Sequence, residues 1–150
     1  MAHTFSNILI HALFSTKHRR PHLDAELKSE LFPYMGGIIA KLKGRPLLIN
    51  GPNDHVHLLF VQPAALGVGE LMEKVKANSS RWVNQRWPQR ARFSWQTGYT
   101  AFSVSQSQVE AVKTYIRNQE QHHRKRSFQE ELATFLKQHG IAYDPRFLVG

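Results

Sequence analysis

The segment of residues 54–60 constrains the fold more strongly than any other part of the sequence. Because successive side chains of a strand point to opposite faces, its alternation places His55 and His57 together on one face. The opposite face is apolar and is formed by Val56, Leu58 and Phe60. The two imidazoles would lie roughly 6.6–6.8 Å apart along the strand, which lets both rings lean onto one metal ion. A half-buried strand whose histidines bind nothing is the alternative.

Hydrophobic periodicity divides the sequence into strands and helices. The predicted strands cover about residues 5–16, 46–50, 54–62, 92–96 and 99–104, and the predicted helices about 25–43, 68–86, 108–122 and 128–139. The order begins with strand, helix, strand, strand, helix and strand, and further helices follow. It predicts an α+β fold, namely a ferredoxin-like antiparallel sheet with helices on one face, a central histidine strand and an added C-terminal helix that bears a tyrosine.

A few residues predict the ends and surroundings of these elements. Asp24 is a candidate N-cap of the first helix, and Ser107 with Glu110 matches a capping box. A turn at Thr97-Gly98 is expected to separate the strands on either side of it. His11 in the first strand is either a core histidine with a satisfied partner or part of a polar cleft.

The charge of the sequence indicates the class of its partner. The 150 residues carry a formal net charge of +9, which favours a polyanion, with nucleic acid ahead of an anionic membrane. Basic residues recur in clusters at 17–20, 41–45, 74–81, 86–92 and 122–126. This dispersal suits a folded surface that follows a phosphate backbone, and a generic solubilising surface is the alternative.

Composition excludes several kinds of protein. Without cysteine, the chain has no disulfide, no thiolate metal site and no cysteine nucleophile, which fits a cytoplasmic protein. No apolar run approaches the roughly 20 residues that a membrane helix needs, and no secretion signal is visible at the N-terminus. We therefore expect a single domain over residues 1–150, in the cytoplasm and without a membrane partner.

A tyrosine and an amide form the second half of a candidate site. Tyr115 and Gln119 are four residues apart in a predicted helix, so their side chains share one face. Beside two histidines, Gln119 could supply a third, oxygen ligand to a metal ion, and Tyr115 could attack a phosphorus atom bound to it. A phenol with a pKa near 10 is a poor nucleophile at neutral pH, and a divalent ion would offset charge on the phosphate. The product would be a phosphotyrosine and a free nucleotide hydroxyl; simple packing of Tyr115 is the alternative.

Taken together, these features resemble the single-tyrosine HUH transposases of bacterial insertion sequences, including the repeat-associated tyrosine transposases. The resemblance rests on the His-hydrophobe-His motif at 55–57 and on the tyrosine four residues before a glutamine. Three shorter segments at 14–21, 95–99 and 102–105 also contribute. It implies an enzyme that cleaves and rejoins single-stranded DNA with hairpin ends through a 5′-phosphotyrosine, leaves a 3′-hydroxyl and uses Mg²⁺ or Mn²⁺.

Carried over by position, the resemblance assigns a role to four side chains. His55, His57 and Gln119 look like metal ligands, and Tyr115 looks like the nucleophile. It also implies a homodimer, and an active site shared between the two subunits is a hypothesis.

Other residues are candidates for DNA contacts and for support of the site. Asp54 either orients a histidine ring or belongs to the turn before the strand. We expect Trp95 to pack in the core rather than to stack on a base. The candidate DNA contacts are Lys74, Lys76, Arg81, Arg90 and Arg92. Two other functions remain open, a non-catalytic single-stranded nucleic-acid-binding module and a nuclease of the replication-initiator or relaxase type.

Overall fold

A computed structural model of the protein describes residues 3–123 and 125–148, without the side chain of Phe147. Arg124, one of the clustered basic residues, lies outside these ranges. The strands are β1 Leu9–Ser15, β2 Arg45–Asn50, β3 His55–Val61 and β4 Thr100–Val104. The helices are α1 Ala25–Lys41, α2 Val68–Arg86, α3 Val109–Arg117, α4 Gln119–His123 and α5 Phe128–Gln138.

The four strands form one antiparallel sheet in the order β2-β3-β1-β4. The predicted α+β fold with a ferredoxin-like sheet is therefore confirmed, and the histidine strand β3 is central. Its neighbour β1 is buried along its whole length. Within the described residues, no helix combines the length and the apolarity that crossing a bilayer requires.

The face of the sheet opposite the histidines carries the main hydrophobic core. Val56, Leu58 and Phe60 of β3 are fully buried there and pack with side chains of α1 and α2. Burying each of these side chains contributes roughly 1.5–3 kcal/mol. A slip of one residue in the pairing would bring the histidines to this face, so the apolar packing fixes the register of β3.

The histidine face of the sheet is covered by the added C-terminal helices. From the sheet, Leu13 and Phe102 pack with α5, and Leu9 and Leu59 pack with α3. The residues that the two helices contribute to these clusters are Phe128, Leu132 and Leu136 of α5 and Val109 and Ile116 of α3. The predicted tyrosine-bearing helix thus lies on the side of the sheet to which His55 and His57 point.

The helix α1 begins as predicted, and the chain that follows its end passes close to the backbone of β3. The side chain of Asp24 accepts a hydrogen bond from the Leu27 backbone N–H at 2.9 Å. At the other end, Lys43 adopts a positive φ of 75° and Gly44 follows it. A Cβ atom at position 44 would lie 3.0 Å from the carbonyl oxygen of Val61, so the chain passes β3 too closely for a side chain.

The predicted strand at 92–96 is wrong. Trp95 makes a single isolated bridge to Thr16. The side chain of Asn84 in α2 instead satisfies the backbone of Phe93, accepting from its N–H at 2.8 Å and donating to its carbonyl at 2.9 Å. Trp95 is buried as expected and donates to the Ser79 hydroxyl at 2.9 Å.

The predicted helix at 108–122 is broken into α3 and α4, and the capping box at Ser107 is not formed. The Ser107 hydroxyl hydrogen-bonds that of Ser105 at 3.1 Å, and a 3₁₀ turn leads into α3. At the break, the side chain of Asn50 donates to the carbonyl of Ile116 at 2.9 Å, which satisfies an acceptor that a continuous helix would have used. A capping box does occur further on, at the start of α5, between Ser127 and Glu130.

Candidate active site

The two histidines of β3 are buried side by side beneath the C-terminal helices. His55 and His57 lie opposite Ser15 and Leu13 of β1, and neither exposes any surface. Their ring centroids are 5.2 Å apart. Both Nε2 atoms are directed at the same group, the carboxylate of Glu131 in α5.

Glu131 is the point at which the site converges. Its Oε1 lies 3.1 Å from His55 Nε2, 3.0 Å from His57 Nε2 and 3.2 Å from His123 Nε2. The geometry at His123 does not meet that of a hydrogen bond, and its Nε2 is buried without one. A carboxylate almost wholly removed from water therefore faces three imidazoles.

The tyrosine and the amide predicted from the sequence reach the other oxygen of the same carboxylate. The Tyr115 hydroxyl donates to Glu131 Oε2, and Gln119 Nε2 donates to it at 3.2 Å. The structure thus brings Tyr115, Gln119, His55 and His57 together, although Tyr115 and Gln119 belong to two helices rather than to one.

The electrostatics of the site keep the phenol protonated in this arrangement. Burial and the negative charge of Glu131 raise the pKa of Tyr115 above its ordinary value. Burial disfavours ionisation of Glu131, yet the hydrogen bonds from the surrounding histidines outweigh it and lower the pKa of that carboxyl. Burial also disfavours the charge on His55, but Asp54 and Glu131 together raise the pKa of its ring. Both pKa shifts are in the directions expected when a buried carboxylate and an imidazole lie in contact.

The other ring nitrogens of the two histidines are held by a second layer of side chains. His55 Nδ1 lies 2.8 Å from Asp54 Oδ1, and His57 Nδ1 lies 2.8 Å from His11 Nε2. Burial, with the neighbouring His57, lowers the pKa of His11 to about 3. These contacts orient both Nε2 atoms towards the site. The sequence left open whether His11 is a core residue with a partner or part of a polar cleft. Both descriptions apply, because His11 is buried against His57 and also borders the cavity beside the site.

That cavity, of about 240 Å³, lies between α3 and α5. Tyr115, Glu131 and Arg126 are on its wall, together with His11 and Phe135. The cavity therefore adjoins the side chain of Tyr115. The guanidinium of Arg126 is on the same wall and donates to the Thr134 hydroxyl.

The candidate DNA contacts are not part of this cluster. Lys74, Lys76 and Arg81 belong to α2, which packs on the opposite face of the sheet from the histidines. Lys76 is half-buried and donates to the Gly98 carbonyl at 2.7 Å. Arg90 forms ion pairs with two carboxylates at the start of α1, Asp24 at 2.6 Å and Glu26 at 3.0 Å. Arg92 is exposed.

Sequence reasoning missed Glu131 and His123. Glu131 shares a helix face with Phe128, Leu132 and Phe135, all of them apolar, so a charged residue among core positions was the available signal. His123 lies in a run of basic residues, and nothing in its spacing distinguishes it from a surface residue.

The side chains present fit a divalent metal ion. The ligand atoms of His55, His57, His123 and Glu131 all lie within 4.8 Å of one another, and imidazole and carboxylate are common ligands of such ions. Gln119 is fully buried, and its Oε1 has no hydrogen-bond partner among the described residues. Buried polar atoms are rarely left unpaired, so an unpartnered oxygen beside this group matches the donor set of a metal site.

Comparisons with known proteins agree with this geometry. The model of the family described as "Transposase IS200 like" matches residues 4–119. Among solved structures, the chain resembles a "putative transposase" of Deinococcus radiodurans R1, with 20% identity, a TM-score of 0.63 and coverage of 79% of this chain and 95% of that one. It also resembles a REP-associated tyrosine transposase bound to a REP hairpin, with 10% identity, a TM-score of 0.61 and coverage of 82% and 72%.

At these identities the structural likeness establishes the fold, and the family match establishes the kind of protein. No curated protein matches the sequence. The match spans the His-hydrophobe-His motif, the tyrosine and the glutamine, and it ends before His123 and Glu131. The chain belongs to the family of IS200-like transposases, and its activity is that of a DNA strand transferase.

Proposed function

We propose that the protein cleaves and rejoins single-stranded DNA in a metal-dependent reaction with Tyr115 as the nucleophile. One observation carries this proposal: the phenol of Tyr115, the amide of Gln119 and the imidazoles of His55 and His57 meet at one buried carboxylate. These are the groups that the transposase family and the sequence pattern indicate, and they come from separate parts of the chain.

His55, His57 and Gln119 would hold Mg²⁺ or Mn²⁺, the first two through Nε2 and the third through its unpartnered Oε1. When bound, the ion would polarise the phosphate and offset the charge that develops on its oxygens. His11 and Asp54 keep the two imidazoles oriented through the nitrogens that face away from the site.

The reaction proposed for Tyr115 is a transesterification at one phosphodiester linkage. Its Oη forms a bond to phosphorus, and the bond from phosphorus to the 3′-oxygen of the preceding nucleotide breaks, which leaves a 5′-phosphotyrosine and a 3′-hydroxyl. In the resting arrangement the hydrogen bond to Glu131 Oε2 orients the Tyr115 hydroxyl. The phenol loses its proton as the bond to phosphorus forms, and the departing 3′-oxygen takes up a proton, so the step is balanced overall. Because no water enters the bond, a hydroxyl of another strand end can reverse the step and join.

Single-stranded DNA with a hairpin end is the proposed substrate. The net charge of +9 favours a polyanion, and a structural neighbour was solved with a REP hairpin bound to it. A homodimer remains part of the proposal. The contacts of Glu131 with Tyr115 and His57 mean that a single chain is able to bring these groups together, and an active site shared between two subunits is the alternative arrangement.

The test is a covalent adduct between the full chain and a hairpin-bearing single-stranded oligonucleotide in the presence of Mn²⁺. The adduct should resist alkali and denaturing gel electrophoresis, and Tyr115→Phe should abolish it. Tyr99→Phe is the matched control, because Tyr99 is exposed and lies beside Gly69 and Lys76 of α2 rather than in the histidine cluster. An adduct that persists in Tyr115→Phe contradicts the role of Tyr115, and binding without any adduct favours a non-catalytic nucleic-acid-binding module.

Whether the site is shared can be tested by mixing Tyr115→Phe chains with His57→Ala chains. A site assembled within one subunit predicts no adduct from the mixture. Restored cleavage would show that the tyrosine of one subunit serves the histidines of the other.

A further inference from the structure

We propose that Glu131 and His123 are additional ligands of the same metal ion and that through them the ion fastens α4 and α5 to the sheet. This inference rests on the proposed metal-dependent function and extends it beyond the family match, which ends at residue 119. The ion would then support the fold of the C-terminal helices as well as the reaction.

The spacing of the donor atoms is the first argument. Two ligand atoms that are each about 2.1 Å from one ion lie roughly 3.0–3.4 Å apart, depending on the coordination geometry. Glu131 Oε1 is 3.1, 3.0 and 3.2 Å from the Nε2 atoms of His55, His57 and His123. The carboxylate oxygen therefore already lies at the separation of a coordination-shell neighbour from each of the three nitrogens, and all four ligand atoms lie within 4.8 Å of one another.

Two unpartnered buried atoms are the second argument. His123 Nε2 and Gln119 Oε1 are both buried and, among the described residues, neither has a hydrogen-bond partner. They lie on α4 and are adjacent to the same carboxylate. One cation in this position would satisfy both atoms, whereas hydrogen bonds to Glu131 alone satisfy neither.

The packing of the helices is the third argument. α5 contributes Phe128, Leu132 and Leu136 to a small cluster with Leu13 and Phe102, and α4 contributes one buried residue, Gln119. The apolar contact between these helices and the sheet is thus modest compared with that of α1 and α2. A metal link from β3 to both helices would add to the stabilisation of this region and would leave Glu131 Oε2 free to accept from Tyr115.

The experiment measures Mn²⁺ binding to the full chain by isothermal titration calorimetry and amide hydrogen exchange of residues 128–138 with and without Mn²⁺. Glu131→Gln keeps the size of the side chain, and Glu131→Asp keeps its charge but shortens its reach. Glu130→Gln is the matched control, since it is exposed on the same helix and glutamine preserves the capping box.

We expect Kd to rise at least about tenfold in both Glu131 variants and in His123→Ala, and to stay unchanged in Glu130→Gln. Mn²⁺ should slow exchange in α5 of the wild type and of Glu130→Gln but not of Glu131→Gln. Unchanged or tighter binding by Glu131→Gln overturns the proposal. A loss in Glu131→Gln that Glu131→Asp does not share overturns it as well, because charge rather than ligation would then explain the result.

These outcomes are separable from a failure of the proposed function. If His57→Ala also binds Mn²⁺ like the wild type, the metal site itself is refuted. If the Glu131 variants lose Mn²⁺ as expected but the wild type forms no adduct with DNA, the metal link stands and the role of Tyr115 does not.

Discussion

Leu58 and His57 are neighbours in β3 and are both fully buried, but they meet different surroundings. Leu58 packs with apolar side chains of α1 and α2, and its contacts are complete within the family-matched part of the chain. His57 faces Glu131 and His11, and its environment depends on a helix 74 residues further along. Burial of the apolar face is favourable without further partners. Burial of the histidine face is tolerated only if each polar or charged group has a hydrogen bond or an opposite charge.

The difference shows that equal burial does not mean an equal contribution to stability. On the apolar face, burial itself is favourable and is roughly proportional to area. On the histidine face, burial is unfavourable to each charged group, and hydrogen bonds offset the cost. Such an arrangement is typical of sites at which binding or chemistry takes place.

The largest expected effect on stability is that of Leu58→Ala. Removal of a fully buried leucine should lower the free energy of unfolding by about 2–5 kcal/mol, measured by urea denaturation. Adduct formation per folded molecule should stay close to that of the wild type. Leu47→Ala, at a half-buried position of β2, is the control and should cost less. Equal losses in the two variants would contradict the assignment of Leu58 to the main core.

His57→Ala should have its largest effect on the reaction. Loss of a proposed ligand should reduce the rate of adduct formation with DNA at least about 100-fold, measured at saturating Mn²⁺ on a denaturing gel. His22→Ala, a histidine outside the site, should react like the wild type. Retention of more than a tenth of the wild-type rate in His57→Ala would argue against ligation by this residue.

The pH dependence of stability should distinguish the two faces. The pKa of His11 is lowered from 6.5 to about 3 in the folded protein, so the unfolded chain binds more protons between these values. Stability should therefore be complete above about pH 6.5 and should fall as the pH decreases towards 3. For one proton the slope is about 1.4 kcal/mol per pH unit.

His11→Leu should flatten this part of the profile in metal-free buffer with EDTA. The exposed His3→Leu is the control and should keep the wild-type slope. If His11→Leu and the wild type lose stability in parallel between pH 6.5 and 4, His11 is not the residue responsible.

The smallest expected effect concerns DNA contacts on the apolar side of the sheet. Arg92 is exposed and has no ion pair within the described residues, whereas Arg90 is bound to Asp24 and Glu26. Arg92→Gln should reduce the slope of log K against log salt by about 0.7 for a single strand, and Arg90→Gln should leave it nearly unchanged. Fluorescence anisotropy with a labelled oligonucleotide measures both slopes. The reverse ranking would show that the ion pairs of Arg90 open when DNA binds.

Several elements were predictable because their signals are local. The periodicity of residues 68–86 predicted α2 with its observed ends, and Asp24 predicted the start of α1. The alternation at 54–60 predicted which side chains of β3 share a face. Other predictions failed where a distant side chain replaced a backbone partner: Asn84 satisfies the backbone of Phe93, and Asn50 caps the broken end of α3.

By itself, the sequence determined the fold class and the face on which His55 and His57 lie, and it identified Tyr115 and Gln119 as candidate site residues. Tertiary structure alone decided that Glu131 joins these groups and that α5 closes over them. The physical reason is that periodicity records which side of an element is buried, whereas the docking of α5 depends on contacts between residues far apart in the chain. Nothing in the local pattern around Glu131 specifies which buried partners it will meet.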